Sequence, residues 1–563
     1  MSEVLLSPGV LSIENDQSQV TQGPITVGAA IIGPTVKGPV EIPTLVTSYS
    51  DYVNQFGTTF VSGGDVYSYF TSIAAYNYFN NGGESLLVSR VVSGTFSSAT
   101  STAISGTIGN SLVLETLSRG VIMNSSSSLD STGALASGST DNIRFQIVSP
   151  DTASGTFGLL IRQGNDTVNS PIVLETWTNL SLDPKAPNYV SRVIGDYTLN
   201  YNSTQNQIEI SGSYPNASRY VRVRSVNNTP DYFDNNGVAK AQYTSSIPVA
   251  ASGSFTSAVG SVMAGGQYYN QITDGNRSQG IPSASYDNMI RLLANQDDYR
   301  FNVLLAPGLF NSLQTSQVST IITNTQGRGD SLFVLDLVPY GSTLTNVTTQ
   351  AASRDNSYAA SYWPWCQILD PSSGKNVWVP ASALIAGVYA YNDRVAEPWF
   401  APAGINRGGL GTVIRAEQKL SQAQRDTLYQ GKVNPIATFP GTGTVVYGNK
   451  TLQTKASALD RVNVRRLLIS LKSYIGQVAN ALVFEQNTTA TRNQFLAQVN
   501  PYLESVQQRQ GLYAFRVVMD ETNNTPDVID RNQLVGAIYL QSTKTAEYIY
   551  LNFNITPTGA SFA

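Results

Sequence analysis

The chain has 563 residues, a formal charge of −4 at pH 7 and only 13% charged residues, against roughly 25% in an average soluble protein. It has no His and a single Cys, Cys366, which excludes Ser-His-Asp and Cys-His nucleophilic sites, His or multi-Cys metal centres and an internal disulfide framework; no cofactor, metal or catalytic residue is expected. The acidic balance argues against a nucleic-acid binder, and the lightly charged surface leaves two readings open: a chain that packs against copies of itself, or an extracellular β-rich protein.

No apolar run approaches the ~20 residues of a membrane span. The start, MSEVLLSPGV, has an early acid, a Pro and no basic region of a secretory signal. A soluble product made in the cytoplasm, with no membrane insertion, is the expectation. The length exceeds what one core supports. The fold class expected is α+β multidomain: mixed α/β core domains formed from the N- and C-terminal parts of the chain, a β-rich inserted domain, and extended terminal arms.

Residues 1–24 read as an N-terminal arm, with a Pro8-Gly9 turn, VLSI and then a polar run. Residues 25–95 continue as strand, turn and strand, a helix near Tyr67 to Phe79, and the strand SLLVSRVV. From 96 to 264 the chain is rich in Ser, Thr, Gly and Asn, with short alternating runs such as NIRFQIVS and RYVRVRSV, a pattern of short strands. It reads as an insertion, because an α/β pattern resumes over 265–435. There FNVLLAPGL and DSLFVLDLVP are apolar enough for buried parallel strands, linked by a helix around Asn311 to Thr325. The turn DPSSG joins SYAASYWPWCQILD to KNVWVPASALIAGVYAYND, in which ALIAGVYAY (Ala383 to Tyr391) reads as a further buried strand.

Residues 436–543 form the C-terminal domain. In VNVRRLLISLKSYIGQVANALVF, Val464, Leu467, Leu468, Leu471, Ile475, Val478 and Leu482 share one face at helical spacing. Arg461, Arg465 and Lys472 fall within about 40° of one another beside that stripe. They are either a docking face for an acidic surface or a solvated face. Asn500-Pro501 predicts the cap and first residue of a second helix ending before Gly511, and the strands GLYAFRVVMD and QLVGAIYLQ follow. Residues 544–563 are a C-terminal arm in which Ile549, Leu551, Phe553 and Ile555 alternate with Tyr548, Tyr550, Asn552 and Asn554, a half-buried strand by period. Such a strand folds back on its own domain or adds to a neighbour's sheet edge.

Other motifs carry bland readings. The carboxylate pairs Asp520/Glu521 and Asp393/Glu397 have the residue types of a glycosidase, but their spacing has no specificity. The clusters GGLGT (Gly408 to Thr412) and GTGTVVYG (Gly441 to Gly448) lack a phosphate-binding arrangement and read as turns. Arg328-Gly329-Asp330 spells an adhesion tripeptide, yet Gly329 sits where a helix should stop. Acceptor sequons at Asn165, Asn179 and Asn216 mean little without a secretion signal.

SPGVLSIE (Ser7 to Glu14), GAAIIGPTVKGPVEIPTLVTSYSDYVNQFG (Gly28 to Gly57), the stretch YAASYWPWCQILDPSSGKNVWVPASALIAGVYAYND with EPWFAPAG, and NPIATFPGTGTVVYGNKTL with VNVRRLLISLKSYI and LVFEQN occur in this order. Together they resemble the tail sheath proteins of contractile bacteriophages, over residues 1–95 and about 265–563. The resemblance implies a structural subunit without an active site. It polymerises as a helical or stacked-ring homo-oligomer around the inner tail tube protein, with baseplate and tail terminator proteins as further partners. Contraction drives the tube through the host envelope. The subunit would belong to the virion tail, assembled in the host cytoplasm. It also implies strand donation between subunits, with Val10, Leu11, Ile13, Tyr548, Ile549, Leu551, Phe553 and Ile555 as linking residues. The inserted domain would lie outside and the C-terminal domain innermost, which makes Arg461, Arg465 and Lys472 candidate tube contacts. Alternatives are the sheath of a phage-tail-like bacteriocin or injection particle, or, in a different class, a surface adhesin or glycan-binding β-protein.

Overall fold

The computed structural model describes residues 25–62, 64–102, 104–107, 109–261 and 276–551. Its central feature is an eight-stranded sheet. In chain order the strands are β1 (Ile25–Gly33), β2 (Thr44–Val46), β3 (Leu86–Arg90), β4 (Tyr299–Phe310), β5 (Leu332–Asp336), β6 (Ala359–Trp363), β7 (Asn434–Phe439) and β8 (Gly443–Val446), lying side by side as β2-β3-β1-β4-β5-β6-β7-β8. The six inner strands pair in parallel, and β2 and β8 close the edges antiparallel. FNVLLAPGL and DSLFVLDLV are β4 and β5, adjacent and parallel, as their apolar character predicts.

Helices α1 (Phe70–Asn80), α2 (Thr315–Arg328) and α3 (Ser382–Val395) cover this sheet. Neighbouring residues on each strand enter different cores. Ala29, Ile31, Val303, Leu305 and Val334 pack with α1 and α3, whereas Ala30, Ile32, Leu304, Phe333 and Leu335 pack with α2. Burial on both faces explains why these strands are apolar at every position instead of alternating.

The stretch ALIAGVYAY is not a strand, as expected from its sequence, but the body of α3. A short unbroken apolar run has no period that separates a buried strand from a buried helix. What selects the helix is packing on α1: a Cβ at Gly387 would stand 2.7 Å from the Asn77 backbone oxygen. The expected hairpin around DPSSG does form, between strands Cys366–Leu369 and Asn376–Val379.

Residues 98–256 build separate antiparallel sheets around a core that includes Leu114, Phe145, Ile147, Leu159 and Phe255. Lys37 with Asp141 (3.5 Å) and Arg219 with Asp51 (2.8 Å) tie this unit to the central body. The central sheet runs past residue 435, through β7 and β8. The following unit has its own core and consists of α4 (Val462–Asn480), α5 (Thr489–Gln508) and the hairpin β9 (Leu512–Val518) with β10 (Ala537–Ser542). The apolar stripe of α4 feeds that core through Leu467, Leu471 and Val478, and Leu482 joins it just past the end of the helix. The second helix starts at Thr489, where the Thr488 side chain caps it, and Pro501 lies inside it. The expected start at Asn500-Pro501 is therefore corrected: Phe495, Val499, Leu503 and Val506 form a buried stripe on both sides of the proline, and its packing outweighs one missing hydrogen bond.

Candidate assembly surface

The N-terminus of α4 and the end of the described chain meet at one cluster. Arg461 occupies the N-cap position of α4 and pairs with Lys450 through a backbone bridge. Its side chain is fixed by what surrounds it. Nε and Nη2 donate to the two Glu547 oxygens at 2.6 and 3.0 Å, while Nη1 reaches Asp460 at 2.9 Å. Tyr429 donates its hydroxyl to Glu547 Oε2 at 2.8 Å, and the Lys450 ammonium lies 4.3 Å from the centre of the Tyr429 ring. Burial raises the pKa of the Tyr429 hydroxyl, and the Glu547 carboxylate raises it further. Burial disfavours the charge on Arg461, but its hydrogen bonds to Glu547 together with the nearby acidic groups Tyr429, Glu547 and Asp460 outweigh it, and the net direction is upward. These directions describe a neutral phenol and a firmly protonated guanidinium converging on a carboxylate, a charge-assisted bidentate geometry.

Beyond Glu547 the chain leaves this shelter. Tyr548, Ile549, Tyr550 and Leu551 are 68%, 77%, 87% and 73% exposed, and these four residues belong to no sheet of this chain. Beside them a groove of about 1470 Å³ runs between Phe400, Arg425, Tyr447 and Tyr513. One wall is β9, which among the described residues pairs only with β10. The outer edges of that hairpin therefore carry backbone groups without ladder partners, and Tyr513 and Tyr539 stand exposed on it.

The structure separates the residues expected to act together. Arg461 holds Glu547. Arg465 is buried, with its guanidinium 3.9 Å from the centre of the Tyr358 ring and donating to the Ser357 hydroxyl. Lys472 is exposed and reaches the Tyr358 hydroxyl at 3.3 Å. The three do not form one free cationic stripe, because two of them are spent on contacts within the chain. Val10, Leu11, Ile13, Phe553 and Ile555 lie outside the described residues.

The remaining motifs are structural. Asp393 is paired with Arg466 at 2.5 Å and Glu397 with Arg509 at 2.7 Å, while Asp520 caps its own loop through Thr522. In the tripeptide at 328–330, the Arg328 side chain is 3% exposed, binds Asp330 at 2.9 Å, donates to the Leu293 and Tyr299 carbonyls and lies over Phe301. Gly329 ends α2 at φ 71°, the left-handed cap that glycine adopts without strain. Tied down in this way, the tripeptide is a helix stop. Sequence reasoning missed Glu547 and Tyr429. The only local signal was one acid placed just before an alternating segment, and nothing in spacing links it to Arg461 86 residues earlier.

Comparison with known proteins agrees with this architecture. Residues 283–452 match the family model described as phage tail sheath protein central domain, and residues 454–556 match phage tail sheath C-terminal domain. Residues 283–556 thus carry the central and C-terminal domains of the contractile phage tail sheath family. Among its relatives, the tail sheath protein of Vibrio phage KVP40 is 45% identical over 218 residues, covering 39% of this chain and 31% of that protein. The tail sheath protein of Enterobacteria phage T4 is 42% identical over 217 residues, covering 38% and 32%. The match thus spans about a third of the length of these curated relatives. The crystal structure of a sheath tail protein from Listeria innocua shares the fold over 92% of this chain and 95% of its own, with a TM-score of 0.54 at 11% identity.

Proposed function

We propose that this chain is the sheath subunit of a contractile phage tail. It polymerises around the inner tail tube, is anchored by the baseplate, ends at a terminator protein, and shortens to drive the tube through the host envelope. The observation that carries this reading is the exposed segment Tyr548–Leu551, which leaves the body beside a hairpin with open edges in a chain that carries sheath-family domains. An extended segment that alternates apolar and polar side chains completes its backbone hydrogen bonds only on another strand edge. Each such bond nets about 1 kcal/mol, so one arm is a modest link and the repeated array holds the sheath while its bodies pivot nearly rigidly.

In this reading residues 1–24 and 544–563 are the linking arms. Residues 25–95 with 265 to about 446 form the middle domain, since β7 and β8 belong to the central sheet and move the boundary expected at 435. Residues 96–264 are the outer domain, and the chain from about 446 to 543 is the inner domain facing the tube. With Arg461 and Arg465 engaged internally, the exposed Lys472 is the tube contact that remains of the three. The protein works by binding free energy and stored conformational energy, without catalysis, as part of a virion tail assembled in the host cytoplasm.

Negative-stain microscopy of the purified chain tests the proposal. Tubes or rings are the expected outcome. A persistent monomer that binds or cleaves glycan would overturn it.

A further inference from the structure

We infer that Glu547 is a positioning residue that fixes where the C-terminal arm leaves the body: the Arg461 guanidinium and the Tyr429 hydroxyl hold its carboxylate, so the arm pivots at Tyr548 and not at the domain boundary near Lys544. The inference rests on the sheath reading and deepens it, because it identifies the hinge of one linking arm.

Two ties bracket the segment between hairpin and arm. At its start, Thr543 donates its amide to the Gly511 carbonyl at 3.2 Å and its hydroxyl to the Gln510 carbonyl at 2.8 Å. At its end, Glu547 accepts three hydrogen bonds, two from Arg461 and one from Tyr429. Both donors stand on rigid supports. Arg461 leads directly into the buried first turn of α4, where Val462 and Val464 are in contact with the interior. Tyr429 ends a helix packed near β7 and lies under the Lys450 ammonium, whose Nζ also donates to the Tyr429 carbonyl at 2.8 Å. From the next residue onward every described side chain is exposed.

Pinning this point matters physically. A linked segment finds its acceptor with an effective concentration set by the length and stiffness of its tether. Four loosened residues at the root would spread the arm over more directions, and each would have to be ordered again on docking. A half-buried bidentate pair also resists such loosening better than an exposed ion pair does.

The test compares the full-length protein with Glu547→Gln, and with a variant lacking residues 544–563 as a control for the arm itself. Spin labels placed through Tyr513→Cys and Ile549→Cys report the arm direction in the unassembled subunit, since Cys366 is buried. The expected result is a narrow distance distribution that broadens in Glu547→Gln with the fold intact by circular dichroism. The concentration needed for polymerisation should rise about tenfold, the size of one charge-assisted contact. Exchanging the pair, Arg461→Glu with Glu547→Arg, should narrow the distribution again, and Glu547→Asp should fall between. An unchanged distance distribution in Glu547→Gln overturns the inference even if the truncated control fails to polymerise, in which case the arm reading stands. A truncated control that polymerises normally overturns the arm reading instead.

Discussion

Asp336 ends β5 with its carboxylate against the N-terminus of α3, where Ser382 donates its amide at 3.1 Å and its hydroxyl at 2.5 Å. Burial pushes this carboxyl up to about 7 from 3.8, against the downward pull of the Ser382 hydrogen bonds. A folded-state pKa above the unfolded one means that the folded chain binds the proton more tightly. The contribution to stability is therefore complete below pH ~4 and lost as pH rises through about 7. Asp336→Asn should remove this dependence: relative to wild type it gains stability at pH 8 compared with pH 4.5, by up to a few kcal/mol. Urea titrations at the two pH values measure it, and a parallel loss in both proteins would show that burial does not set this carboxyl's proton affinity. At the same scale, Arg328 and Arg461 both looked available in the sequence and are both occupied by carboxylates of this chain. A side chain's partner is a three-dimensional fact, and local spacing carries none of it.

Among the elements, two helices differ from their expected form, and each difference leads to a prediction. Pro501 is exposed in the interior of α5 and denies the Ala497 carbonyl its helical partner. Pro501→Ala should raise stability by about 1–3 kcal/mol, read as a shift in denaturation midpoint; no gain would mean that the helix is already adapted to the proline. Gly387 lies where α3 crosses α1, and the 2.7 Å approach to the Asn77 carbonyl leaves no room for a methyl group. Gly387→Ala should cost on the order of 1–3 kcal/mol by forcing the helices apart, visible as a lower melting temperature. The apolar strands of the central sheet and the stripe of α4 were legible because burial writes a pattern along the chain. The identity of α3 was not, because a run apolar at every position has no period to read.

For the whole molecule, no residue from 544 to 551 enters any of the hydrophobic cores. Removing residues 544–563 should therefore leave a folded protein that no longer polymerises, checked by circular dichroism together with sedimentation. Normal polymers would sink the strand-donation idea, and an unfolded product would assign the segment to its own domain.

The amino-acid sequence by itself determined the class of this protein. Its lack of His and its single Cys close off whole families of chemistry, and its ordered blocks resemble those of tail sheath proteins. Unbroken apolar runs placed β4 and β5, and helical periodicity placed α4, because solvent exclusion acts on each element through its own side chains. Only the tertiary structure decided which cations are free and where the arm leaves the body. Arg461 and Glu547 are brought together by the packing of α4 against the end of the hairpin unit. A contact across 86 residues depends on where two elements come to rest, which no local pattern records.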